Sequence, residues 1–117
     1  MAEKPISIDV RTPSEEVAIL DIQGDVSSFA ENALMDAYTT ATAGGASRLL
    51  LNFTGMDYMN SSGIGLLVTL LVRVQRRDQR LGAYGLDDHY RQIFELTRLN
   101  EAILVYDDEA TAVAAAP

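Results

Sequence analysis

Two adjacent hydroxyl side chains, Ser61 and Ser62, stand between an amide and two glycines in residues 60–65, NSSGIG. A short apolar run precedes this segment and a long apolar run follows it, which predicts that a buried strand passes here into a helix. The unpaired backbone N–H groups at the start of a helix attract anions. The segment therefore predicts a site for a bound anion or for a phosphate attached to Ser61 or Ser62.

Two other interpretations of the serines stay open at this stage. One serine could simply cap the helix, with the glycines allowing close packing. Alternatively, a serine could be the nucleophile of a small enzyme, which requires a general base. The one histidine, His89, is predicted in the first turn of a later helix, where a solvated or capping role is the ordinary one. The enzyme interpretation lacks an evident base, and we expect the protein not to be an enzyme.

The composition excludes several kinds of site. The chain has no cysteine, so it can form neither disulfides nor thiolate metal sites, and a single histidine excludes a multi-histidine metal site. It has no phosphate-binding loop of the type G-x-x-x-x-G-K-[ST], and residues 63–65 lack the third glycine of a dinucleotide motif. We therefore expect no metal and no other cofactor.

The charge balance limits the choice of partner. Seventeen acidic residues and nine basic ones give a net charge of −8 at pH 7, which would repel nucleic acid and anionic membranes. The longest apolar run, residues 64–72, is far shorter than the roughly 18 residues needed to cross a bilayer. The first residues do not resemble a secretory signal. We expect a cytoplasmic protein that neither binds nucleic acid directly nor inserts into a membrane.

The length of 117 residues fits one domain, which we expect to span residues 4–115. Alternating apolar residues at 6–11 predict a first strand. A denser apolar run at 17–22 predicts a second, more central strand that stops at Gly24. The two are expected to form a hairpin.

The pattern then alternates between helices and strands. The next predicted elements are a helix capped by Ser27 or Ser28 and ending at Gly44, a strand at 48–53, and a helix that begins at or beside the two serines and runs through residues 64–79. They are followed by a strand at 81–85, a helix from Asp87 to Arg98, a strand at 103–106 and a short helix after Asp107 that is expected to fray. This order predicts an α/β fold with a mixed sheet of about five strands, an antiparallel hairpin at its edge, and about four helices.

The apolar residues of each helix indicate which face it buries. The inward residues predicted for the first three helices include Phe29, then Ile64, Leu67, Val68, Leu71, Val72 and Gln75, and finally Tyr90, Ile93, Phe94 and Leu96. Four arginines, Arg73, Arg76, Arg77 and Arg80, lie near the end of the second helix. They either complement the negative end of the helix dipole or form a docking patch.

Residues 57–65, with the strand at 49–53 before them and the apolar helix after them, resemble the signature of the STAS domain of anti-sigma-factor antagonists. The resemblance extends over nearly the whole chain, because residues 22–26 are similar to the turn that follows the family's second strand. Residues 94–99 are similar to the end of its third helix. The signature is more specific for the fold than for the role.

The resemblance implies a regulatory function. In this family the unphosphorylated antagonist binds an anti-sigma-factor kinase of the histidine-kinase-like ATPase type, which releases the sigma factor. The kinase phosphorylates the antagonist on a serine, and a PP2C-type phosphatase removes the phosphate. The family also includes scaffold subunits, of stressosome type or associated with transporters, which remain an alternative. We expect a monomer, although an exposed edge strand leaves a homodimer open.

The resemblance also assigns roles to individual residues. Ser61 matches the phosphorylated serine, Ser62 and Gly63 form the start of the helix, and Asp25 matches the acidic residue after the second strand. Tyr58, beside the serines, is a candidate docking residue. The partner-binding set is thus Asp25, Tyr58, Asn60, Ser61, Ser62 and Gly63. Two positions depart from the family: Asn60 replaces the usual aspartate, and Ser27 replaces a second acid.

Overall fold

The computed structural model describes residues 4–115, and its elements follow the predicted order. The strands are β1 Ser7–Arg11, β2 Val17–Val26, β3 Arg48–Met59, β4 Arg80–Tyr84 and β5 Leu104–Tyr106. The α-helices are α1 Glu31–Ala43, α2 Ser61–Arg76, α3 Asp88–Leu96 and α4 Glu109–Ala114, and single 3-10 turns occupy Ser28–Ala30 and Leu99–Glu101. The domain bounds of 4 and 115 stay a prediction, since only these residues are described.

The five strands form one sheet in the order β1-β2-β3-β4-β5. β1 runs antiparallel to β2, and the other neighbours are parallel. Each parallel step needs a crossover, and α1, α2 and α3 provide these in turn. The predicted mixed sheet with an antiparallel hairpin at one edge is confirmed.

Side chains alternate across the sheet and build a core on each face. Ala18, Leu20 and Ile22 of β2 lie in the larger core, which is covered by α1, α2 and α3. Val17 and Ile19 point the other way, into a smaller core that α4 covers. The continuous apolar run of β2 thus reflects a central strand buried on both sides.

Both central strands are longer than predicted. The expectation that β2 stops at Gly24 and that β3 ends at residue 53 is wrong, because the parallel pairing continues through two register shifts, at residues 21–23 and 24–25 of β2, to Val26 and Met59. Gly24 has a φ of +89°, and a Cβ there would lie 2.1 Å from the carbonyl oxygen of Pro5. Gly24 therefore does not end the strand; it lets the N-terminal segment pass close to it.

Two predicted core residues lie on the surface. Phe29 is 80% exposed because it belongs to a 3-10 turn capped by Ser27, whose hydroxyl accepts a hydrogen bond from the Phe29 N–H at 3.3 Å. The α-helix itself starts only at Glu31. Leu96 is 77% exposed because α3 ends there, two residues before the predicted end at Arg98, which has a left-handed φ of 61°.

The buried face of α2 also differs from the prediction. Gly63, Leu67, Leu70 and Val74 face the core. Val68 and Val72 were predicted to be buried, yet they are 42% and 39% exposed, and Gln75 is exposed as well. The helix carries apolar residues around most of its circumference, so the pattern does not specify its rotation.

Helix α4 is held against the sheet rather than free to fray. Ala112 is fully buried, and Asp108 caps the helix by accepting a hydrogen bond from the Thr111 N–H at 2.8 Å. At the other end, the buried guanidinium of Arg48 donates to the carbonyl oxygens of Ala112, at 2.8 Å, and Val113, at 3.4 Å. A cation at a helix C-terminus complements the helix dipole.

A charged network ties α4 to the antiparallel edge of the sheet. Arg11 donates to both Asp21 and Glu109, with the Nη2 to Glu109 Oε1 distance at 2.6 Å. The Tyr84 hydroxyl donates to the same Glu109 oxygen at 2.7 Å, and Asn52 donates to Asp21 at 2.8 Å. The hydrogen bonds from Arg11 lower the pKa of both carboxyl groups, whereas burial is the main reason that the pKa of Tyr84 is raised.

This network predicts acid-sensitive stability. The carboxyl groups of Asp21 and Glu109 have lower pKa values in the folded than in the unfolded chain. Their contribution to the free energy of unfolding is therefore complete above the unfolded pKa values of about 4, and it is lost as the pH falls through the lower pKa values of the folded chain. We expect Arg11→Gln to lower the free energy of unfolding at pH 7 by about 1 kcal/mol and to flatten this acid dependence. Chemical denaturation at a series of pH values measures both effects.

Arg76→Gln is the matched control, because Arg76 is exposed and has no ion pair among the described residues. It should leave the acid dependence unchanged. An acid-induced loss as steep in Arg11→Gln as in the wild type would contradict the role of the network.

Candidate functional site

The start of α2 is built onto the end of β2. The Asn60 N–H donates to the carbonyl oxygen of Val26 at 3.2 Å, just after the last pair of the β2 and β3 ladder. A Cβ on Gly63 would lie only 2.2 Å from this same oxygen. Only glycine therefore allows the first turn of the helix to approach the strand so closely.

Asn60 is the N-cap of α2. Its side-chain Oδ1 accepts a hydrogen bond from the Gly63 N–H at 3.0 Å, and its backbone oxygen accepts from the Ile64 N–H at 3.0 Å. The interpretation that a serine caps this helix is therefore wrong. The amide performs the geometric task that a carboxylate would perform at this position, without adding a negative charge.

Ser61 and Ser62 are the first two residues of α2, and both are exposed. Within residues 4–115, neither hydroxyl makes a hydrogen bond, and no acceptor lies on either backbone N–H group. The first turn of the helix contains no acidic residue. The positive end of the helix dipole therefore has no acidic side chain within its own first turn, which is an arrangement that favours an anion.

Asp25 and Tyr58 lie next to this helix start. They are paired across β2 and β3, one position before Val26 and Met59. A carboxylate oxygen of Asp25 accepts from the backbone N–H of Lys4 at 3.0 Å, which orients the side chain. Tyr58 is 54% exposed. The pairing thus brings both residues to the C-terminal ends of β2 and β3, where α2 starts.

The structure therefore gathers all the residues of the predicted set at one corner of the molecule. Lys4 adds a positive charge that the sequence pattern does not predict at this corner, because its ammonium group forms an ion pair of 3.1 Å with Asp57 near the end of β3. Phe29 is a second missed residue, since its 3-10 turn contacts α2 and leaves the ring in solvent. Neither has a sequence signal, because both depend on how separate elements come together.

Tyr90, on α3, holds the end of β3 in place beside this corner. Its buried hydroxyl accepts a hydrogen bond from the Met59 N–H at 3.0 Å, and Asp87 fixes the first turn of α3 by accepting from the Tyr90 N–H at 3.0 Å. A buried tyrosine needs such a partner, which is the signal that could have found it. His89 is exposed and packs edge-on against Tyr90, and it makes no hydrogen bond to the serines in this part of the chain.

A search of residues 4–115 finds no group of three acidic or histidine side chains arranged to hold a metal ion. In the same range, no helix combines the length and the apolar character that crossing a bilayer requires.

Substitution by alanine should change the free energy of unfolding in opposite directions at Gly63 and Gly65. Gly63→Ala places a methyl group against the Val26 carbonyl and should lower the free energy of unfolding by about 2 kcal/mol or more. Gly65→Ala is its matched control, because a Cβ there meets nothing within 4 Å. Alanine has the higher helix propensity, so this variant should be more stable by about 0.5 to 1 kcal/mol. Urea denaturation of both variants tests the geometry, and equal effects would contradict it.

The STAS domain family model matches residues 8–112. Among curated proteins, the chain is 26% identical over 102 residues to the anti-sigma-B factor antagonist of Staphylococcus aureus, covering 87% of this chain and 93% of the relative. It is 23% identical over 104 residues to the protein of the same name from Listeria monocytogenes, covering 89% and 91%.

Solved structures share the fold at low sequence identity. An anti-sigma factor antagonist from Mycobacterium paratuberculosis superimposes with a TM-score of 0.75 at 17% identity, covering 93% of this chain and 92% of that one. The antagonist SpoIIAA in its unphosphorylated form gives 0.73 at 18% identity, covering 92% and 93%. The Bacillus cell fate determinant SpoIIAA in its phosphorylated form gives 0.70 at 18% identity, covering 92% and 96%. By the extent of the family match and the agreement in fold, this chain belongs to the STAS domain family.

Proposed function

We propose that this protein is an anti-sigma-factor antagonist that binds an anti-sigma-factor serine kinase when unphosphorylated and is switched off by phosphorylation of Ser61. The observation that carries the proposal is the exposed, unbonded hydroxyl of Ser61 on the first residue of α2. The curated relatives named as anti-sigma-B factor antagonists support the role. The fold is also known in a phosphorylated protein, SpoIIAA.

The geometry of the helix start suits a phosphate on Ser61. A phosphoserine carries a charge of about −1.5 to −2 at pH 7 and three acceptor oxygens. The free N–H groups of Ser61 and Ser62 and the positive end of the α2 dipole stabilise such a group. Because Asn60 is neutral, it opposes the phosphate less than the aspartate of other family members would.

The partner-binding surface of the proposal is the corner formed by Asp25, Tyr58, Asn60, Ser61, Ser62 and Gly63. A kinase that transfers phosphate to Ser61 must contact this corner, and Tyr58 offers it an exposed aromatic ring. A phosphate introduced there would have to be desolvated within the contact and would repel acidic groups of the partner. The complex therefore dissociates without any change of fold in the antagonist.

The remaining parts of the cycle follow from this role. Binding of the unphosphorylated chain to the kinase releases a sigma factor, and a PP2C-type phosphatase resets the chain by removing the phosphate. The proposal places the chain in the cytoplasm, where ATP is available to the kinase. In this proposal the chain is the substrate of the kinase and the phosphatase and performs no catalysis itself.

Substitutions of Ser61 test the switch. Ser61→Asp should weaken binding to the kinase at least about ten-fold, because it places a charge in the contact. Ser61→Ala should bind like the wild type but accept no phosphate. Calorimetric titration with each purified histidine-kinase-like anti-sigma factor of the same cell measures affinity, and intact-mass spectrometry after incubation with ATP measures phosphate transfer.

Ser62 provides the matched controls, since it is also exposed and is the next residue of the same turn. Ser62→Ala should still accept one phosphate. Phosphorylation that persists in Ser61→Ala would show that a residue other than Ser61 accepts the phosphate. Absence of both binding and phosphate transfer with every kinase would instead favour the alternative, a non-catalytic scaffold or sensor-complex subunit.

A further inference from the structure

The outward side of α2 carries an apolar strip that the fold covers only in part. Gly65, Val68 and Val72 recur at steps of three and four residues, about half a turn away from the buried residues 63, 67, 70 and 74. The two valines are 42% and 39% exposed. We call these three residues the α2 ridge. It continues the line of Ser61 along the helix.

Gly65 has no structural reason to be glycine. A Cβ at this position meets nothing within 4 Å, and its backbone is helical rather than left-handed. Glycine in a helix lowers stability relative to alanine. Gly63, only two residues earlier, is required by the carbonyl of Val26. A glycine that the fold does not need, on an exposed face, leaves room for another molecule to approach the helix backbone closely.

Beyond the ridge, the helix ends in a positive patch. Arg73, Arg76 and Arg77 are exposed and line one depression together with Tyr38. We call these three side chains the arginine patch; Arg80 lies apart from it, at the start of β4. Within residues 4–115, no carboxylate forms an ion pair with the patch, although the chain has 17 acidic residues. The helix dipole attracts cations to this end, but it leaves their guanidinium groups free to pair.

The patch stands on a rigid base. The Tyr38 hydroxyl, on α1, donates to the side-chain oxygen of Gln79 at 2.8 Å and approaches the carbonyl oxygen of Arg73 at 3.4 Å. The Gln79 amide donates in turn to Ala46 at 3.0 Å and to Thr42 at 3.3 Å. The end of α2 is thereby fixed to α1, so the arginines project from a pre-organised surface.

We infer that the α2 ridge and the arginine patch form a second contact for the anti-sigma-factor kinase, which presents an acidic surface bordered by apolar side chains. This inference rests on the proposed function and extends its contact along the whole length of α2. Charge complementarity determines the occupant: three unpaired guanidinium groups select carboxylates. Phosphate polymers and anionic membranes carry negative charge along their whole surface and are repelled by the net charge of −8, whereas a protein can present a local acidic patch to the arginines, so the partner is a protein.

This arrangement separates two tasks along one helix. The Ser61 end carries the group whose charge changes, whereas the distal end supplies a contact that phosphorylation does not touch. Sixteen residues of helix span about 24 Å. The distal contact can therefore steer the kinase toward the serine without itself being part of the switch.

Binding measurements with single variants test the distal contact. Each of Arg73→Gln, Arg76→Gln and Arg77→Gln should weaken kinase affinity about five-fold at low salt, and the difference from wild type should shrink at about 0.5 M salt. Gln92→Glu is the matched control. It lowers the net charge by the same single unit, at an exposed position on α3, and should leave affinity unchanged.

The ridge has its own variants. The double substitution Val68→Ser and Val72→Ser should weaken binding about ten-fold. The two valines are 42% and 39% exposed and lie outside the core, so the variant should still fold, and urea denaturation measures the stability that it loses. Gly65→Ala should weaken binding about five-fold even though the variant is more stable to urea. A loss of affinity together with a gain of stability cannot arise from misfolding.

The outcomes distinguish this inference from the proposed function. If the kinase binds and phosphorylates Ser61 but the ridge and patch variants bind like wild type, the distal contact is refuted and the switch stands. If the variants bind weakly while Ser61 accepts no phosphate, the contact stands and the switch is refuted. If no anti-sigma-factor kinase binds the wild type, both are refuted.

Discussion

The carbonyl oxygen of Val26 is the point on which the candidate site depends. It accepts the hydrogen bond of the Asn60 N–H, and it lies where a side chain at residue 63 would have to be. A parallel strand can present its last carbonyl in this way only if its pairing with the neighbouring strand continues to that residue. The extension of β2 and β3 to Val26 and Met59 meets this condition, and the two register shifts in the ladder set the pairing of these last residues. The N-terminus of α2, with the serines, is then fixed relative to the sheet.

The charge distribution of the protein distinguishes α2 from the rest of the chain. The chain is strongly acidic, yet the first turn of α2 carries no acidic residue and its cap is a neutral amide. At the other end of the same helix, three arginines form no ion pair with a carboxylate of the described residues. Both ends of α2 are thus suited to anionic groups, one to a phosphate and the other to carboxylates, and the apolar ridge between them suits a protein surface. Helix α2 thus contains no acidic side chain, although the chain as a whole is strongly acidic.

The opposite face of the sheet has a different task. Helix α4 covers the small core around Val17 and Ile19 and is fixed at both ends by charged groups, Arg48 at its C-terminus and the Arg11 network at its N-terminus. Such a short helix is marginal by itself in water. Its stability comes from the sheet, and in return it shields apolar side chains that an uncovered sheet would expose. The start of α2, with the serines, packs on the opposite face of the sheet, so the residues that hold α4 in place are different from those of the candidate site.

The sequence by itself determined the order of the elements, the mixed sheet with its hairpin edge and the position of the serine segment between a strand and a helix. These follow from local periodicity, turn residues and the crossover rule, which act over short stretches of chain. Only the tertiary structure decided that β2 continues past Gly24, that Asn60 rather than a serine caps α2, and that Val68, Val72 and Phe29 face solvent. The apolar arc of α2 is wide, although residues 62, 69, 73 and 76 form a polar side, so the pattern leaves a range of rotations open and packing against the sheet selects which apolar residues are buried. The pairing partner of a strand and the close contact between Gly63 and Val26 join distant parts of the chain, and for that reason no local pattern specifies them.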